Sequence, residues 1–166
     1  NQKKTTLKPR RDLELDVLLE ILESKRFVTC HSYVQSEINM LMHVADSMGF
    51  HINTFTHILE GYKVADKMKA HGVGGSTFSD WWAYKFEVYY STAYNAAILT
   101  QNGVITSINS DSGELIRHLY HEAGKAQRYG ELTDEQTLAL ITINPAKQLG
   151  IADKVGSVEE GKQADL

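Results

Sequence analysis

Two histidines and one aspartate of this sequence combine residue types and positions that could do chemistry together. His31 ends the run VTCH, His57 ends the run NTFTH, and Asp111 ends the run SINSD. Each run ends a short strand-like segment. Imidazole nitrogens and carboxylate oxygens are usual zinc ligands, and a catalytic zinc site leaves one position open for water. The three residues therefore predict a divalent-metal site, with zinc as the expected ion.

The elements around these residues would carry them to one edge of a sheet. Helical and strand-like segments alternate in the order α-β-α-β-α-β-α-β-α-α, which favours a parallel sheet with right-handed crossovers. In parallel α/β folds, ligands bind at the carboxyl ends of the strands. Side-chain alternation predicts three same-face groups: Phe27, Thr29 and His31; Asn53, Phe55 and His57; Ser107, Asn109 and Asp111. Four such strands suit either a small open sheet or half of an eight-stranded barrel.

The helices of this pattern are marked by apolar stripes and by end signals. The segment DLELDVLLEILESK places leucines at helical spacing behind Asp12, a candidate N-cap. The segment SEINMLMHVADSMG has one apolar stripe and ends at Gly49, a candidate C-cap. Residues 83–103 predict one long helix, and Thr133 with Gln136 has the spacing of a capping box.

Each candidate residue also has an ordinary structural interpretation. A histidine at a strand end is commonly a hydrogen-bonded structural residue, and Asp111 could cap the following helix, alone or with Ser112. Trp81 and Trp82 follow the third strand-like run, VGGSTF, where they could bind substrate or pack a loop on a helix. The remaining histidines are expected on surfaces and in packing, although the spacing of the last pair can also bind metal: His43, His51, His71, His118 and His121.

The composition fits a folded protein and narrows its partners. The chain has 166 residues, a net charge of −4 and no long run of like charges, which argues against nucleic acid as the main partner. Its single cysteine, Cys30, excludes an intrachain disulfide. No apolar stretch is long enough to cross a membrane, so no membrane partner is expected. Residues 1–11 lack the apolar core of a signal peptide, but a signal could precede a fragment, so the compartment stays open.

The final segment of the chain resembles a known enzyme family. The stretch ITINPAKQLGIADKVGSVEEGKQADL is similar to the C-terminal signature of the amidohydrolase superfamily, in particular its imidazolonepropionase-like branch. The phrases VTCHSY, FTHILEGYKVAD and INSDSGEL resemble the strand-five, strand-six and strand-eight motifs of that family, in the same order. The resemblance runs from about Asp12 to Leu166. It implies an α/β fold whose parallel βα repeats form strands five to eight of a TIM-type (β/α)8 barrel.

The resemblance also implies roles for the three candidate residues. His31 and His57 would be metal ligands from the fifth and sixth barrel strands, and Asp111 would be the aspartate of the eighth. In the family that aspartate binds metal, takes a proton from the attacking water and passes it to the leaving nitrogen. The implied activity is hydrolysis of amide or cyclic amide C–N bonds by metal-activated water. The substrate would be a small amide or peptide-like molecule, and its identity stays open.

The sequence departs from the family in a way that bears on function. The family begins its barrel with an H-x-H pair, and no H-x-H occurs here; the region of a fourth-strand lysine or glutamate is also absent. The chain is therefore expected to be a fragment with little or no activity, whose metal site could be empty. Half a barrel exposes two strand edges, so a two-fold homo-oligomer is expected. The expected divisions are a tail or connection, a partial hydrolase barrel and the start of a flanking β domain: residues 1–11, 12–150 and 151–166.

Two other classes of protein fit part of the pattern. A flavodoxin-like binding or regulatory module has the same βα alternation, but it usually carries carboxylates near the end of its first strand, where this chain has His31. An iron oxygenase uses two histidines and one carboxylate, usually on a β-rich scaffold with two ligands close in sequence. Metal analysis of the His31→Ala and His57→Ala variants would separate the hydrolase from the binding module.

Overall fold

The structure, a computed structural model, describes residues 10–83 and 85–164. In these residues helices and strands alternate in the predicted order up to the fourth strand, which is followed by three helices where the pattern predicts two. The helices are α1 (Leu13–Leu22), α2 (Gln35–Met48), α3 (Ala65–His71), α4 (Asn95–Gln101), α5 (Leu119–Gly130), α6 (Asp134–Ala139) and α7 (Ile143–Gln148). The strands are β1 (Thr29–His31), β2 (Thr54–Thr56), β3 (Gly74–Thr77) and β4 (Thr106–Ile108). Short 3₁₀ turns lie at Gly61–Val64, Phe86–Val88 and Leu115–His118.

The strands form one parallel sheet in the order β1-β2-β3-β4. Cys30 pairs with Phe55, Phe55 with Gly75, and Gly75 with Thr106 across the three ladders. Since neighbouring strands are consecutive in the chain and parallel, each helix between them must return the chain to the same starting edge. The predicted α/β class with a four-stranded parallel sheet is confirmed.

One face of the sheet packs on the helices. Phe55 is fully buried in a cluster with residues of α2 and α3, and Cys30 packs against the same cluster. Ile108 lies in a second cluster with residues of α4 and α5. Paired positions of adjacent strands share a face, so the residues beside these in each strand point to the opposite side.

The opposite face is covered near its amino-terminal edge by α7. Gln148 donates to the backbone oxygens of Gly75 and Ile105, at 3.0 and 2.8 Å, and accepts from the Ser107 hydroxyl at 2.6 Å. Asn144 donates to the carbonyl oxygen of Thr106. These bonds satisfy buried polar groups that would otherwise lie against an apolar layer.

Local end signals are confirmed where they depend on nearby residues. The Asp12 side chain accepts from two backbone amides of α1, and Gly49 adopts a left-handed conformation after α2. Thr133 and Gln136 form both bonds of a capping box at α6. The apolar face of α1 is exposed along its length, since none of its residues is buried.

The predicted long helix over 83–103 is wrong. Within its described residues only a 3₁₀ turn and α4 are helical. Two contacts hold the segment before α4 as a loop. Trp82 donates its indole N–H to the carbonyl oxygen of Ser91, and Asn95 at the start of α4 is bonded to residues of other elements. Tertiary contacts have here overridden helix propensity.

Across 10–83 and 85–164, none of the helices is both long enough and apolar enough to span a lipid bilayer. Most of the predicted tail, residues 1–11, lies outside the described residues, as does the end of the segment 151–166.

Candidate metal centre

The carboxyl ends of β1 and β2 bring two of the predicted ligands together. His31 is the last residue of β1 and pairs with Thr56, which immediately precedes His57. The Nδ1 atom of His31 lies 2.6 Å from the Nε2 atom of His57, and the ring centroids are 4.7 Å apart. Two residues that are 26 positions apart in the chain thus face each other through one ring nitrogen each, at hydrogen-bonding distance.

The backbone at His57 explains how this contact is made. Phe55 is paired with Cys30 and faces the helices, so simple alternation would turn His57 away from His31. The predicted grouping of Asn53, Phe55 and His57 on one face is therefore wrong. His57 has φ of 50°, in the left-handed region that residues other than glycine seldom adopt. Such a conformation costs free energy and is often found where a side chain must be aimed at a functional site.

Asp111 follows β4 in the same backbone conformation. Its φ is 49°, and its side chain is exposed at a pocket of about 500 Å³ that Thr56 and Ser110 also line. The Ser112 hydroxyl, and not the Asp111 carboxylate, accepts from the amides of residues 114 and 115 at the approach to the next 3₁₀ turn. The carboxylate of Asp111 is thus left for a role other than capping.

The protonation of His57 suits a ligand. Burial lowers the pKa of His57, the positive charge that His31 can carry lowers it further, and the Asp111 carboxylate opposes both. A lowered pKa keeps the imidazole neutral at pH 7, which is the form that binds a metal ion. The side chain is 4% exposed, and its Nδ1 atom is buried without a hydrogen-bond partner among the described residues.

The pair of imidazoles fits a zinc ion in chemistry and nearly in position. Zinc at its usual distance from two nitrogens, in tetrahedral geometry, separates them by roughly 3.3 Å. The nitrogens of His31 and His57 are 2.6 Å apart, so a small ring movement would admit an ion. In the part of the chain that the structure describes, no three His, Cys, Asp or Glu side chains are grouped closely enough to hold an ion. The structure therefore brings the two histidines together and does not bring Asp111 into a cluster with them.

The sequence patterns did not indicate Tyr33, which packs on this pair, or Lys85, which packs on Tyr33. The Tyr33 ring stacks on His57 at 4.1 Å between centroids, and the Lys85 ammonium lies 3.7 Å from the Tyr33 ring centroid. The charge of Lys85 also lowers the pKa of His57. Tyr33 lies two residues after His31 in VTCHSY, so proximity in sequence could have indicated it; nothing local indicated Lys85.

A buried carboxylate fixes the loops that follow β1 and β2. Glu60 is 4% exposed and accepts from the backbone amide of Gln35 and from the Lys63 ammonium, both at 2.9 Å. Its own amide donates to the carbonyl oxygen of Tyr33. These bonds tie the Tyr33 segment to the segment after His57, which restrains the position of both rings.

The two tryptophans lie in different surroundings. Trp81 packs on Phe78 at 4.5 Å between centroids, in a cluster that also contacts Tyr33. Trp82 is 51% exposed and lines a second pocket with Asp80. Neither tryptophan lines the pocket beside Asp111.

Four of the other five histidines pair among themselves. His71 bonds Asp46 at 2.8 Å and stacks on His51. His118 and His121 stack on each other with centroids 5.5 Å apart.

The structure defines an α/β protein whose parallel sheet carries two imidazoles at its carboxyl edge. Comparison with known proteins then gives its family. The family model described as "Amidohydrolase family" matches residues 42–166. The chain belongs to the amidohydrolase family. The match therefore favours the hydrolase hypothesis over the flavodoxin-like alternative.

Named relatives agree with this assignment. The chain is 28% identical over 160 residues to the amidohydrolase tasK of Hapsidospora irregularis, covering 93% of this chain and 16% of that protein. It is 28% identical over 134 residues to an imidazolonepropionase of Thermoplasma volcanium, covering 79% of this chain and 32% of that protein. The chain thus spans a third or less of the length of either relative.

A solved structure gives the same result. The crystal structure of an amidohydrolase from Thermotoga maritima MSB8 is similar with a TM-score of 0.81 and 27% identity, over 98% of this chain and 43% of that one. The four-stranded parallel sheet with its helices therefore fits part of a TIM barrel.

Proposed function

We propose that this chain contributes to a metal-dependent amidohydrolase that hydrolyses amide or cyclic amide C–N bonds with activated water. The observation that carries the proposal is the approach of His31 Nδ1 to His57 Nε2 at 2.6 Å, at the carboxyl ends of two adjacent parallel strands. Support comes from the left-handed backbone of both His57 and Asp111, since two such residues at one edge are costly without a function.

In this proposal His31, His57 and Asp111 hold a divalent ion, most simply zinc. Such an ion acidifies bound water and polarises a carbonyl group when it is present. Burial keeps His57 neutral and able to ligate. The exposed carboxylate of Asp111 takes a proton from the attacking water and gives it to the leaving nitrogen as the C–N bond breaks. One carboxylate can accept and then donate this proton, and it is ionised again when the C–N bond has broken.

The proposed substrate is a small amide or peptide-like molecule, in keeping with the imidazolonepropionase-like branch. Trp81 and Trp82 stay proposed substrate contacts. Trp81 is the better supported of the two, because the cluster in which it packs contacts Tyr33, and Tyr33 stacks on His57. Trp82 would reach the same substrate only if that molecule extended into the second pocket.

We further propose that the chain corresponds to strands five to eight of the barrel, with residues 12–150 as the partial barrel and 151–166 as the return towards a flanking β domain. On this reading it has little or no activity alone, because half of the substrate-positioning loops are missing. The edge strands β1 and β4, together with the exposed leucines of α1, favour a two-fold dimer. Light scattering tests this, and a monodisperse monomer would contradict it.

The metal proposal is tested by zinc titration of the purified chain in a calorimeter, followed by metal analysis after dialysis. We expect about one zinc per chain, with at least tenfold weaker binding in His31→Ala and in His57→Ala. Asp111→Asn should weaken binding less, because that carboxylate is not clustered with the histidines. His43→Ala, an exposed position on α2, is the matched control and should bind like the parent. Equal zinc binding by the parent, His31→Ala and His57→Ala would contradict the proposal.

A further inference from the structure

A second pocket lies beside α4 and α5, apart from the candidate metal centre. Its volume is about 530 Å³, and it shares no lining residue with the pocket beside Asp111. The residues of this second pocket that could bind a ligand are Asp80, Trp82, Ser91, Thr92, Tyr94 and Tyr129. They come from the loop after β3, the residues that lead into α4, and the end of α5. Trp82 is the one residue of this set that the proposed hydrolysis also uses. The contacts described for Trp82 do not include His31, His57 or Asp111.

Two hydroxyl groups in the lining are unpaired. The oxygens of Ser91 and Thr92 are buried and have no hydrogen-bond partner among the described residues, and Ser91 is only 5% exposed. Buried polar atoms in folded proteins are nearly always paired, so each unpaired one calls for a partner. A hydroxyl redirects its oxygen and hydrogen by rotation about single bonds. Both groups can therefore turn to a ligand in the pocket as acceptors.

Asp80, which lines the pocket, belongs to a cluster of three charged side chains with an excess of negative charge. Lys125 donates to Glu122 at 2.7 Å and to Asp80 at 3.0 Å, so two carboxylates share one ammonium. Burial alone would lower the pKa of Lys125, but its bonds to Glu122 and Asp80 raise it. The Glu122 side chain is 4% exposed, whereas that of Asp80 is 32% exposed. Asp80 is thus the carboxylate through which the excess charge is accessible.

The walls of the pocket are aromatic and partly open. The exposed fractions of Trp82, Tyr94 and Tyr129 are 51%, 44% and 63%. Aromatic faces attract cations and also pack on methylene groups. The same loop already holds one ammonium in this way, since the Lys63 Nζ atom lies 4.2 Å from the Tyr90 ring centroid.

We propose that this pocket binds the primary alkylammonium group of a small organic amine. The ammonium donates hydrogen bonds to Asp80 and to the hydroxyl oxygens of Ser91 and Thr92, and its methylene groups lie against Trp82 and Tyr129. A neutral alcohol of the same length would gain the apolar contacts but would lose the charge-assisted bond.

The test uses n-butylammonium as the probe and 1-butanol as its neutral isostere. Each is titrated into the chain, with amide and indole N–H signals followed by NMR. We expect the Trp82 indole signal to shift with n-butylammonium, while the Trp81 indole signal stays unchanged. We expect 1-butanol to bind about tenfold more weakly or not at all, as the loss of a charge-assisted bond implies. Equal binding of the two probes, or no shift with either, would overturn the proposal.

Variants separate the contributions of charge, aromatic wall and hydroxyl. Asp80→Asn should lower the affinity for n-butylammonium about tenfold or more, and Trp82→Leu should lower it about two- to fivefold. Ser91→Ala leaves the Asp80–Lys125 pair intact. It should weaken the binding of n-butylammonium by a smaller factor than Asp80→Asn does. Asp153→Asn, an exposed position outside the pocket, is the control and should leave affinity unchanged. Unchanged affinity in folded Asp80→Asn would overturn the proposal; if that variant does not fold, the comparison of the two probes decides.

Discussion

Asn95 is the residue whose removal should most clearly disturb the support of the candidate metal centre. It is 1% exposed at the start of α4. Its Nδ2 atom donates to the carbonyl oxygen of Ile58 at 2.8 Å and to the Thr77 hydroxyl at 2.9 Å, and its Oδ1 atom accepts from the Tyr62 amide at 2.9 Å. Since Ile58 follows His57 directly, these bonds hold the backbone that aims the imidazole.

The magnitude follows from the groups that Asn95→Ala would leave unpaired. The Tyr62 amide would lose its partner, at about 1–3 kcal/mol, whereas the Ile58 carbonyl keeps its bond from the Gly61 amide. The Thr77 hydroxyl keeps its bond to the Phe78 carbonyl and adds little. We therefore expect Asn95→Ala to lower the free energy of unfolding by about 2–3 kcal/mol, a substantial share of the stability of an ordinary domain.

Urea unfolding followed by circular dichroism measures this loss. Asn102→Ala is the matched control, because the Asn102 side chain is exposed and donates only to the Ile98 carbonyl at the end of α4. The control should lose about 0.5 kcal/mol, within the range of surface substitutions. We also expect Asn95→Ala to bind zinc more weakly. A loss below about 1 kcal/mol for Asn95→Ala would refute the reasoning that these bonds support the centre.

Three further predictions concern packing, pH and capping. Gly130→Ala should destabilise the chain by about 1–3 kcal/mol, because the added methyl would overlap the Ala97 Cβ atom between α5 and α4. Burial and the neighbouring His71 lower the pKa of His51, so its neutral form is favoured in the folded chain. The contribution of His51 to stability is therefore full above a pH of about 6.5 and falls as the pH drops towards the lowered pKa. Urea midpoints of the parent and of His51→Gln, measured from pH 8 to 5, test this. Thr133→Ala should cost about 1 kcal/mol of unfolding free energy, because the capping box is lost.

Each of these predictions has an outcome that contradicts it. Gly124→Ala lies in the same helix with open space around its added methyl, so it should be neutral or slightly stabilising. Equal effects of Gly130→Ala and Gly124→Ala would mean that the helices do not pack as described. Parallel pH curves for the parent and His51→Gln would show that His51 does not titrate below its usual range. A neutral Thr133→Ala would show that α6 does not depend on its cap.

The features that could be predicted from the sequence depend on local physics. Asp12, Gly49 and Thr133 act through backbone groups a few residues away, so their patterns are readable in a short window. The approach of His31 and His57 could be predicted because consecutive parallel strands end at one edge.

The features that could not be predicted depend on contacts between distant residues. The loop before α4 replaces a predicted helix because Asn95 bonds Ile58, which is 37 residues away. The left-handed turn at His57 reverses the expected face, and no local pattern marks a histidine for that conformation. The stack of Lys85 on Tyr33 likewise joins two loops that sequence alone does not bring together.

The central claim is that His31 and His57, from two strands, bind one metal ion. Its most direct test is a crystal of the chain grown with zinc and measured on both sides of the zinc absorption edge. We expect one anomalous peak within bonding distance of His31 Nδ1 and His57 Nε2, with Asp111 turned towards it. A peak at another histidine pair with none between these two nitrogens, or no ordered zinc at all, would contradict the account.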